Sequence, residues 1–315
     1  MVKALLQYEA EATKALETFV QTVEAKKPPP MLYHYTTEMG LRGILESGNL
    51  WFSDIFAQND PSELRHGLSI ATAILKSRIT NKRPEIDTFA QSIERFDVDA
   101  GIEAAGHFFI FCFSAHGDEL GQWRAYADNG RGFALGFDTQ LLEDAFVKKE
   151  NGKPNKHHST FHLTYDDAQL TRLQTSLADL IDPLISLPRS TGVRGDALSA
   201  YMMEVLVYHS MNIIRGVMFF KHEAYRNEKE YRFQQLFRYD KAAPEVKYRR
   251  RPGAIVRYRE YDWRKRANGA LKRIVIGPAA DRTTAVRFAN DCLAAFHGRT
   301  DPVAVEVSKI PYRAT

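Results

Sequence analysis

The chain has 315 residues, of which 44% are hydrophobic and 26% are charged, which is a globular composition and excludes wholesale disorder. Lys and Arg number 43 against 39 Asp and Glu, and the net charge of +4 does not by itself indicate nucleic-acid binding. Two cysteines, Cys112 and Cys292, are too few for a disulfide framework and are expected as buried free thiols. With no apolar run long enough to span a bilayer, we expect a soluble, cytoplasmic protein.

The first element in the chain is an amphipathic helix. Its apolar residues recur at helical spacing, at Leu5, Tyr8, Ala12, Leu16, Phe19, Val20 and Val23. The helix must end before Pro28-Pro29-Pro30, because no helix continues through three prolines. Residues 1–30 are therefore predicted to be an appended helix with a polyproline spacer, which packs on the body or contacts a partner. Residues 31–315 are predicted to form a single α+β domain.

Strands and helices then alternate without a regular strand–helix–strand rhythm, which favours an α+β fold over a doubly wound sheet. Strands are predicted at residues 32–36, 50–53, 107–114, 131–137, 228–237, 246–250, 254–259, 271–276 and 303–307. Helices are predicted before Gly48, from the capping motif Asn59-Asp60-Pro61-Ser62-Glu63 to about residue 79, and over 84–100, 167–180, 197–220 and 282–297. His157, His158 and His162 lack Cys or carboxylate partners at metal-binding spacing, so no metal is expected.

Two groups of residues are candidates for binding a ligand. Strand alternation places His34 and Thr36 on one face, where a neutral imidazole is offered to a ligand hydroxyl. The alternative is a structural histidine, with Thr36 or the next threonine capping a helix. Ser114 ends a strand, and Trp123 and Tyr126 share a face of a short helix, either as an aromatic platform near Ser114 or as core residues.

Paired carboxylates form a third group. In a strand, Glu228, Glu230 and Arg232 share one face, while Tyr231 and Phe233 face the core. Such a face is most often solvated, with ion pairs that contribute little. Two carboxylates on one strand face also suit chemistry at a sugar carbon, where they hydrogen-bond a ribose hydroxyl and stabilise an oxocarbenium-like transition state.

The positive charge is concentrated in residues 247–273, which contain eleven Lys and Arg against one Glu and one Asp, a net charge of +9. Tyr248, Tyr258, Tyr261 and Trp263 are interleaved with these basic residues. Arginines with aromatic rings are typical of contact with a nucleic-acid backbone combined with base stacking. The candidates for this role are Arg249, Arg250, Arg251, Arg257 and Arg259. Alternatively, the arginines lie on solvated strand faces and pair with acids elsewhere.

Taken together, the motifs resemble the bacterial family known as domain of unknown function 2971. The resemblance runs in order from Leu32 to Pro278 and is carried by LYHYT, GLRGILESGNLWFSD, NDPSE, FCFS, GQWRAYADNGRGFALGFD, NEKEYRF and LKRIVIGP. This resemblance implies a shared fold more than a function.

A more distant resemblance, carried by the H-Y-T strand and the following GLRGIL and SGNLW segments, is to ADP-ribosyltransferase-like proteins. It implies a split β-sheet core with helical insertions and NAD as a substrate in the cleft. It further implies His34 at the adenosine ribose, Ser114 or Tyr126 near the nicotinamide, with Thr36 and Trp123 beside them, and Glu230 as the preferred catalytic carboxylate, with Glu228 as its alternative.

This second resemblance implies an ADP-ribosyltransferase whose acceptor is unassigned, with RNA or DNA bound through residues 247–273 as one candidate. Water as the acceptor would make the enzyme an NAD glycohydrolase. Toxin and phage-defence roles are expectations by analogy with the superfamily. The alternative from another class is a non-enzymatic module on the same fold that binds nucleic acid or a partner protein.

Overall fold

The computed structural model of the chain describes residues 2–24, 27–57, 62–79, 84–95, 106–149, 151–237, 245–251, 253–297 and 302–314. Its helices are α1 Val2–Glu24, α2 Glu38–Ser47, α3 Ser62–Lys76, α4 Pro84–Glu94, α5 Leu120–Tyr126, α6 Thr139–Val147, α7 Asp167–Thr191, α8 Gly195–Val217, α9 Trp263–Arg266 and α10 Arg282–Cys292. Its strands are β1 Met31–Thr36, β2 Asn49–Asp54, β3 His107–Ser114, β4 Phe133–Asp138, β5 His158–His162, β6 Glu230–Phe237, β7 Lys247–Arg251, β8 Ala254–Asp262, β9 Leu271–Ile276 and β10 Ala304–Val307. The predicted α+β class is confirmed.

The described strands form one mixed sheet in the order β10-β9-β4-β1-β3-β2-β8-β7. Strand β6 pairs with β3 along its whole length, and β5 pairs with the far edge of β6. All pairings are antiparallel except that of β9 with β10. Strand β3 thus has three partners, although a strand has only two edges.

The sheet opens along β3. Because β6 occupies one edge of β3 from end to end, β1 and β2 must share the other edge. Strand β1 pairs there through Ser114, whereas β2 pairs through Ile110 and Phe109. Between these pairings the two strands separate, and a cleft lies in the gap.

Two hydrophobic clusters hold the fold together. The first packs one face of the sheet, with Phe111, Phe113 and Phe233, against α2, α6 and α10. The second is built from helices α1, α3, α4, α7 and α8, together with Phe220 just after α8. The helical layer meets the opposite face of the sheet where Ile214 of α8 and Met218, directly after this helix, pack with Phe108 of β3.

Helix α1 is part of the helical layer. Its predicted apolar stripe is buried against α7 and α8, with Ala12 fully enclosed. The hydroxyl of Tyr8 and Nδ1 of the buried His209 on α8 form a hydrogen bond of 2.8 Å. Of the two arrangements left open by the sequence, the structure therefore has the helix packed on the body.

Several element boundaries differ from the predicted ones. Helix α7 continues past the predicted end at residue 180, through Pro183 and Pro188, because Leu184 and Ile185 extend its buried stripe. Strand β6 begins at Glu230 rather than at residue 228. The capping motif at residues 59–63 lies outside the described residues, except that α3 begins at residue 62. None of the described helices is long and apolar enough to cross a membrane.

Candidate functional site

The cleft in the split sheet has a volume of about 460 Å³. Its walls come from β1 and α2 on one side, from β2 and β7 on another, and from α5 and the start of β6 on a third. Eight of the residues singled out from the sequence line it: His34, Thr36, Ser114, Tyr126, Glu228, Glu230, Arg249 and Arg251. Residues up to 217 positions apart in the chain therefore meet in one place.

His34 presents a neutral imidazole at the cleft. Its Nδ1 lies 3.2 Å from the carbonyl oxygen of Cys112, which only accepts, so Nδ1 carries the proton and Nε2 is an acceptor. Burial, only partly offset by this hydrogen bond, lowers the pKa of His34 to about 4. The ring packs on Phe111, with a centroid separation of 4.3 Å. The geometry therefore suits acceptance of a hydrogen bond from a ligand hydroxyl.

Glu230 lies at the centre of a buried ionic network. Its two carboxylate oxygens accept hydrogen bonds from Nε of Arg232 at 2.7 Å and from Nζ of Lys221 at 2.8 Å. The thiol of Cys112 donates a third. All three charged side chains are at most 8% exposed. The alternative of a solvated strand face is therefore wrong for Glu230 and Arg232.

The cations keep Glu230 ionised. Burial alone would raise the pKa of this carboxyl group, but the charges of Arg232 and Lys221 outweigh that effect and lower the pKa to about 2. The same burial, together with the negative charge of Glu230, raises the pKa of Cys112, which is therefore a neutral thiol. Glu230 is a fixed negative charge with two fixed positive partners.

Glu228 is held differently. It ends a 3-10 turn, and the left-handed backbone of Lys229, with φ of 44°, separates it from β6. Its carboxylate accepts hydrogen bonds from the hydroxyl of Tyr126 at 2.8 Å and from Nζ of Lys221 at 2.5 Å. Its side chain is 14% exposed against 5% for Glu230. Glu228 is therefore the more accessible carboxylate, and Lys221 joins the two.

Register places the two sides of the site on different faces of the sheet. Tyr33, Ser114 and Glu230 form one cross-strand row, so their side chains share a face. His34 follows Tyr33 and points to the other face. Both still line the cleft because the sheet is open between β1 and β2. Cys112 connects them, with its carbonyl oxygen bonded to His34 and its thiol to Glu230.

Ser114 and Thr36 complete the walls. The hydroxyl of Ser114 donates to the carbonyl oxygen of Glu228 at 2.7 Å and so fixes the turn that carries the carboxylate. Thr37, and not Thr36, caps helix α2 by accepting from the amide of Gly40. A Cβ at Gly40 would lie 1.9 Å from Oγ1 of Thr36, so the glycine makes room for this side chain.

Trp123 does not line the cleft, which corrects its predicted place beside the ligand. Its side chain is fully buried, edge-on to Tyr35, and its indole N–H donates to Asp118 at 2.7 Å. Tyr126, three residues later, reaches the cleft because α5 ends there. The aromatic platform expected from this helix is thus reduced to one ring.

The five candidate arginines do not form one surface. Arg249 and Arg251 point into the cleft, whereas Arg250 is exposed on the other face of β7. Arg257 forms an ion pair with Asp54 at 2.5 Å, and Arg259 stacks over the ring of Phe237. Three of the four interleaved aromatic residues are buried, namely Tyr258, Tyr261 and Trp263. The predicted stacking of bases on these rings is not available to a nucleic acid.

Sequence reasoning missed three residues of the site, Lys221, Cys112 and Trp51. Lys221 is a lone cation after the apolar Phe219-Phe220, and a charge in such a run signals a buried acidic partner. Trp51 lines the cleft, and its ring packs at a tilt of 34° against that of Tyr258, with a centroid separation of 4.7 Å. Nothing in the local pattern distinguishes it from a core tryptophan.

Comparison with known proteins found a match that covers part of the chain and several residues of this site. No curated protein and no solved structure matches the chain. The model of a family described as "Protein of unknown function (DUF2971)" matches residues 122–233, a range that contains Tyr126, Lys221, Glu228 and Glu230. Over these residues the chain is similar to that family, as its motifs predict.

Proposed function

We propose that the cleft binds NAD and that the protein transfers its ADP-ribose to an acceptor in the cytoplasm. The observation that carries this proposal is the convergence, in one cleft, of the acceptor nitrogen of His34 with the paired carboxylates Glu228 and Glu230. The cleft volume of about 460 Å³ lies within the range of small-molecule sites, roughly 300–1,000 Å³.

In the proposed reaction the bond between the ribose and the nicotinamide nitrogen breaks, and its electron pair leaves with the nicotinamide. The oxocarbenium-like ribose then bonds to a nucleophilic atom of the acceptor, which loses its proton. Positive charge develops on the ribose, so a fixed carboxylate lowers the barrier. His34 accepts a hydrogen bond from the adenosine ribose and orients the dinucleotide.

Of the two carboxylates, Glu228 contacts the reacting ribose in this proposal. Both oxygens of Glu230 already accept from buried cations, which reduces the negative field that it offers. Glu228 is more exposed to the cleft and shares Lys221 with Glu230. Glu230 is then a positioning residue that fixes Lys221, and through it the carboxylate of Glu228.

The split of the sheet at β3 supports a further part of the proposal, that the fold is a variant of the ADP-ribosyltransferase core. The acceptor in the proposal is a macromolecule, with RNA or DNA as a candidate. Among the five candidate arginines, Arg250 is the one on an exposed strand face. With water as the acceptor, the same chemistry gives an NAD glycohydrolase.

The test is the release of nicotinamide from NAD, measured by chromatography with and without RNA, DNA or protein acceptors. We expect Glu228→Gln to lower the turnover number about a hundredfold or more while leaving NAD binding nearly unchanged. Glu223→Gln is the matched control, because Glu223 is 73% exposed and, among the residues that the structure describes, pairs only with Arg226, three positions along the chain. Unchanged turnover in Glu228→Gln would contradict its role. An absence of release with water and with every acceptor would favour the non-enzymatic binding module.

A further inference from the structure

The part of the cleft formed by β7 carries positive charge. Arg249 and Arg251 are two residues apart on β7, so their side chains leave the same face, with Cα atoms about 6.5 Å apart. Both line the cleft, whereas Arg250 between them is exposed on the other face. The hairpin therefore directs two guanidinium groups to one place.

Within the described residues, Arg249 and Arg251 form no ion pair, whereas two other cations of the same hairpin do. Lys247 pairs with Glu260, and Arg257 pairs with Asp54. Within the described residues, Arg249 donates only to the hydroxyl of Ser53, at 2.8 Å, and Arg251 only to the carbonyl oxygen of Ala57, at 3.2 Å. Burial and, after it, the neighbouring charge of Arg251 lower the pKa of Arg249 below its ordinary value.

Unsatisfied donors lie at the same wall. The guanidinium of Arg249 lies beside the paired rings of Trp51 and Tyr258, at 5.7 and 5.9 Å from their centroids. Within the described part of the chain, Nε of Arg249 and Nε1 of Trp51 are both buried and have no acceptor. A buried donor without an acceptor costs roughly 1–3 kcal/mol, and native proteins retain few of them.

We infer that Arg249 and Arg251 form a subsite for the diphosphate group of a nucleotide. Two guanidinium groups on one strand face match two adjacent phosphoryl groups, because each planar fork binds phosphate oxygens in pairs. A bound diphosphate supplies the negative charge and the acceptors that this wall lacks. This inference rests on the proposed function for the identity of the ligand, and it names the part of that ligand which the two arginines contact. It assigns Arg249 and Arg251 to the nucleotide rather than to a nucleic-acid surface.

The experiment measures binding of ADP and of inorganic pyrophosphate by calorimetry, since neither contains nicotinamide and neither depends on turnover. We expect Arg249→Gln and Arg251→Gln each to weaken binding about tenfold or more. Arg250→Gln is the matched control, with the same charge change on the opposite face of the same strand, and it should change the affinity less than twofold. Thermal unfolding of each variant checks that it is folded. If Arg249→Gln does not fold, Arg251→Gln serves as the test, because no cation–π contact of Arg251 occurs among the described residues.

Equal weakening by all three substitutions would overturn the inference, because it would show a general electrostatic attraction in place of a subsite. Failure of the wild-type protein to bind ADP or pyrophosphate at millimolar concentration would overturn it as well. Binding of ADP that depends on Arg249 and Arg251, without release of nicotinamide from NAD, would support the subsite while removing the proposed reaction. If Arg249→Gln and Arg251→Gln change neither the release of nicotinamide nor the affinity for ADP, the proposed reaction is supported and the subsite is ruled out.

Discussion

Glu230 shows how single residues set the character of this site. Its carboxylate is nearly inaccessible, yet it remains charged because Lys221 and Arg232 each donate to one of its oxygens. With Glu228 included, the network has two negative and two positive side chains and is neutral. Because the four charges sum to zero and pair with one another, the side chains can stay ionised in a buried position without a bound ion.

This network makes a prediction about stability. Glu230→Gln should lower the free energy of unfolding by about 3–5 kcal/mol, because it leaves two buried cations with one carboxylate between them. Glu228→Gln should cost about 1 kcal/mol, since Glu228 is the more exposed and Lys221 keeps its other partner. Urea denaturation of the two variants and of Glu223→Gln measures the difference. Equal, small losses in all three would show that the network contributes little.

Buried histidines predict a dependence of stability on pH. Burial lowers the pKa of His34 and His158 to about 4 and that of His209 to about 3, against an ordinary value of 6.5. The unfolded chain therefore binds more protons than the folded one below pH 6.5, and the free energy of unfolding must fall as the pH falls from 6.5 to about 4. Each histidine contributes up to about 1.4 kcal/mol per pH unit.

Glu230 adds a second loss at lower pH, because its lowered pKa stabilises the fold above pH 4.5 and this stabilisation is lost as the pH falls toward 2. Urea denaturation between pH 8 and pH 4 tests the histidine contribution. We expect His34→Gln to flatten the profile and His116→Gln, at an exposed position, to leave it unchanged. A wild-type profile that is flat from pH 7 to pH 5 would contradict the prediction.

At the scale of elements, β3 determines where the site forms. Its one edge is filled by β6, and its other edge is divided between β1 and β2. The cleft is the gap between them, so it depends on three pairings that are distant in sequence. Helix α2, after β1, then covers one side of the gap, and α5, after β3, covers another.

Helix α1 contributes to stability by packing one of its faces into the helical cluster. Leu16 is 5% exposed and packs in the helical cluster, whereas Leu6 on the same helix is 63% exposed. We expect Leu16→Ala to lower the free energy of unfolding by about 2–4 kcal/mol and Leu6→Ala to change it by less than about 0.5 kcal/mol. Chemical denaturation of the two single variants compares them directly. Similar effects for both leucines would indicate that α1 does not pack as described.

For the molecule as a whole, the spacing of apolar residues predicted most helices and strands, because the residues that recur at strand or helix spacing are the ones that the fold buries. Strand β3 was predicted at residues 107–114 and lies there, and α1 was predicted from a stripe that is buried. Helix α7 was predicted to be too short, since packing against α8 overrides the cost of Pro183 and Pro188.

The candidate site was only partly predictable. Local alternation correctly predicted a strand position for His34, and residue type together with strand spacing suggested Glu228 and Glu230. The burial of Glu230 could not be predicted, because its partner Lys221 arrives from a separate segment after α8. Alternation along a strand separates Arg250 from Arg249 and Arg251, but which of the two faces meets the cleft depends on the pairing of β7 with β8 and of β8 with β2, which no local pattern encodes.

The central claim, that this cleft binds NAD, has a direct test in Gly43. Gly43 lines the cleft on α2, and a Cβ added there meets no atom within 4 Å. Replacing a helical glycine should also stabilise the helix, by up to about 1 kcal/mol for Gly43→Ala. We expect calorimetric titration to show NAD binding to the wild type and to Gly43→Ala, and none to Gly43→Leu, because the leucine side chain fills part of the cleft. We expect thermal unfolding to show that both variants are at least as stable as the wild type. Binding of NAD to Gly43→Leu with wild-type affinity, or no binding to the wild type, would contradict the claim.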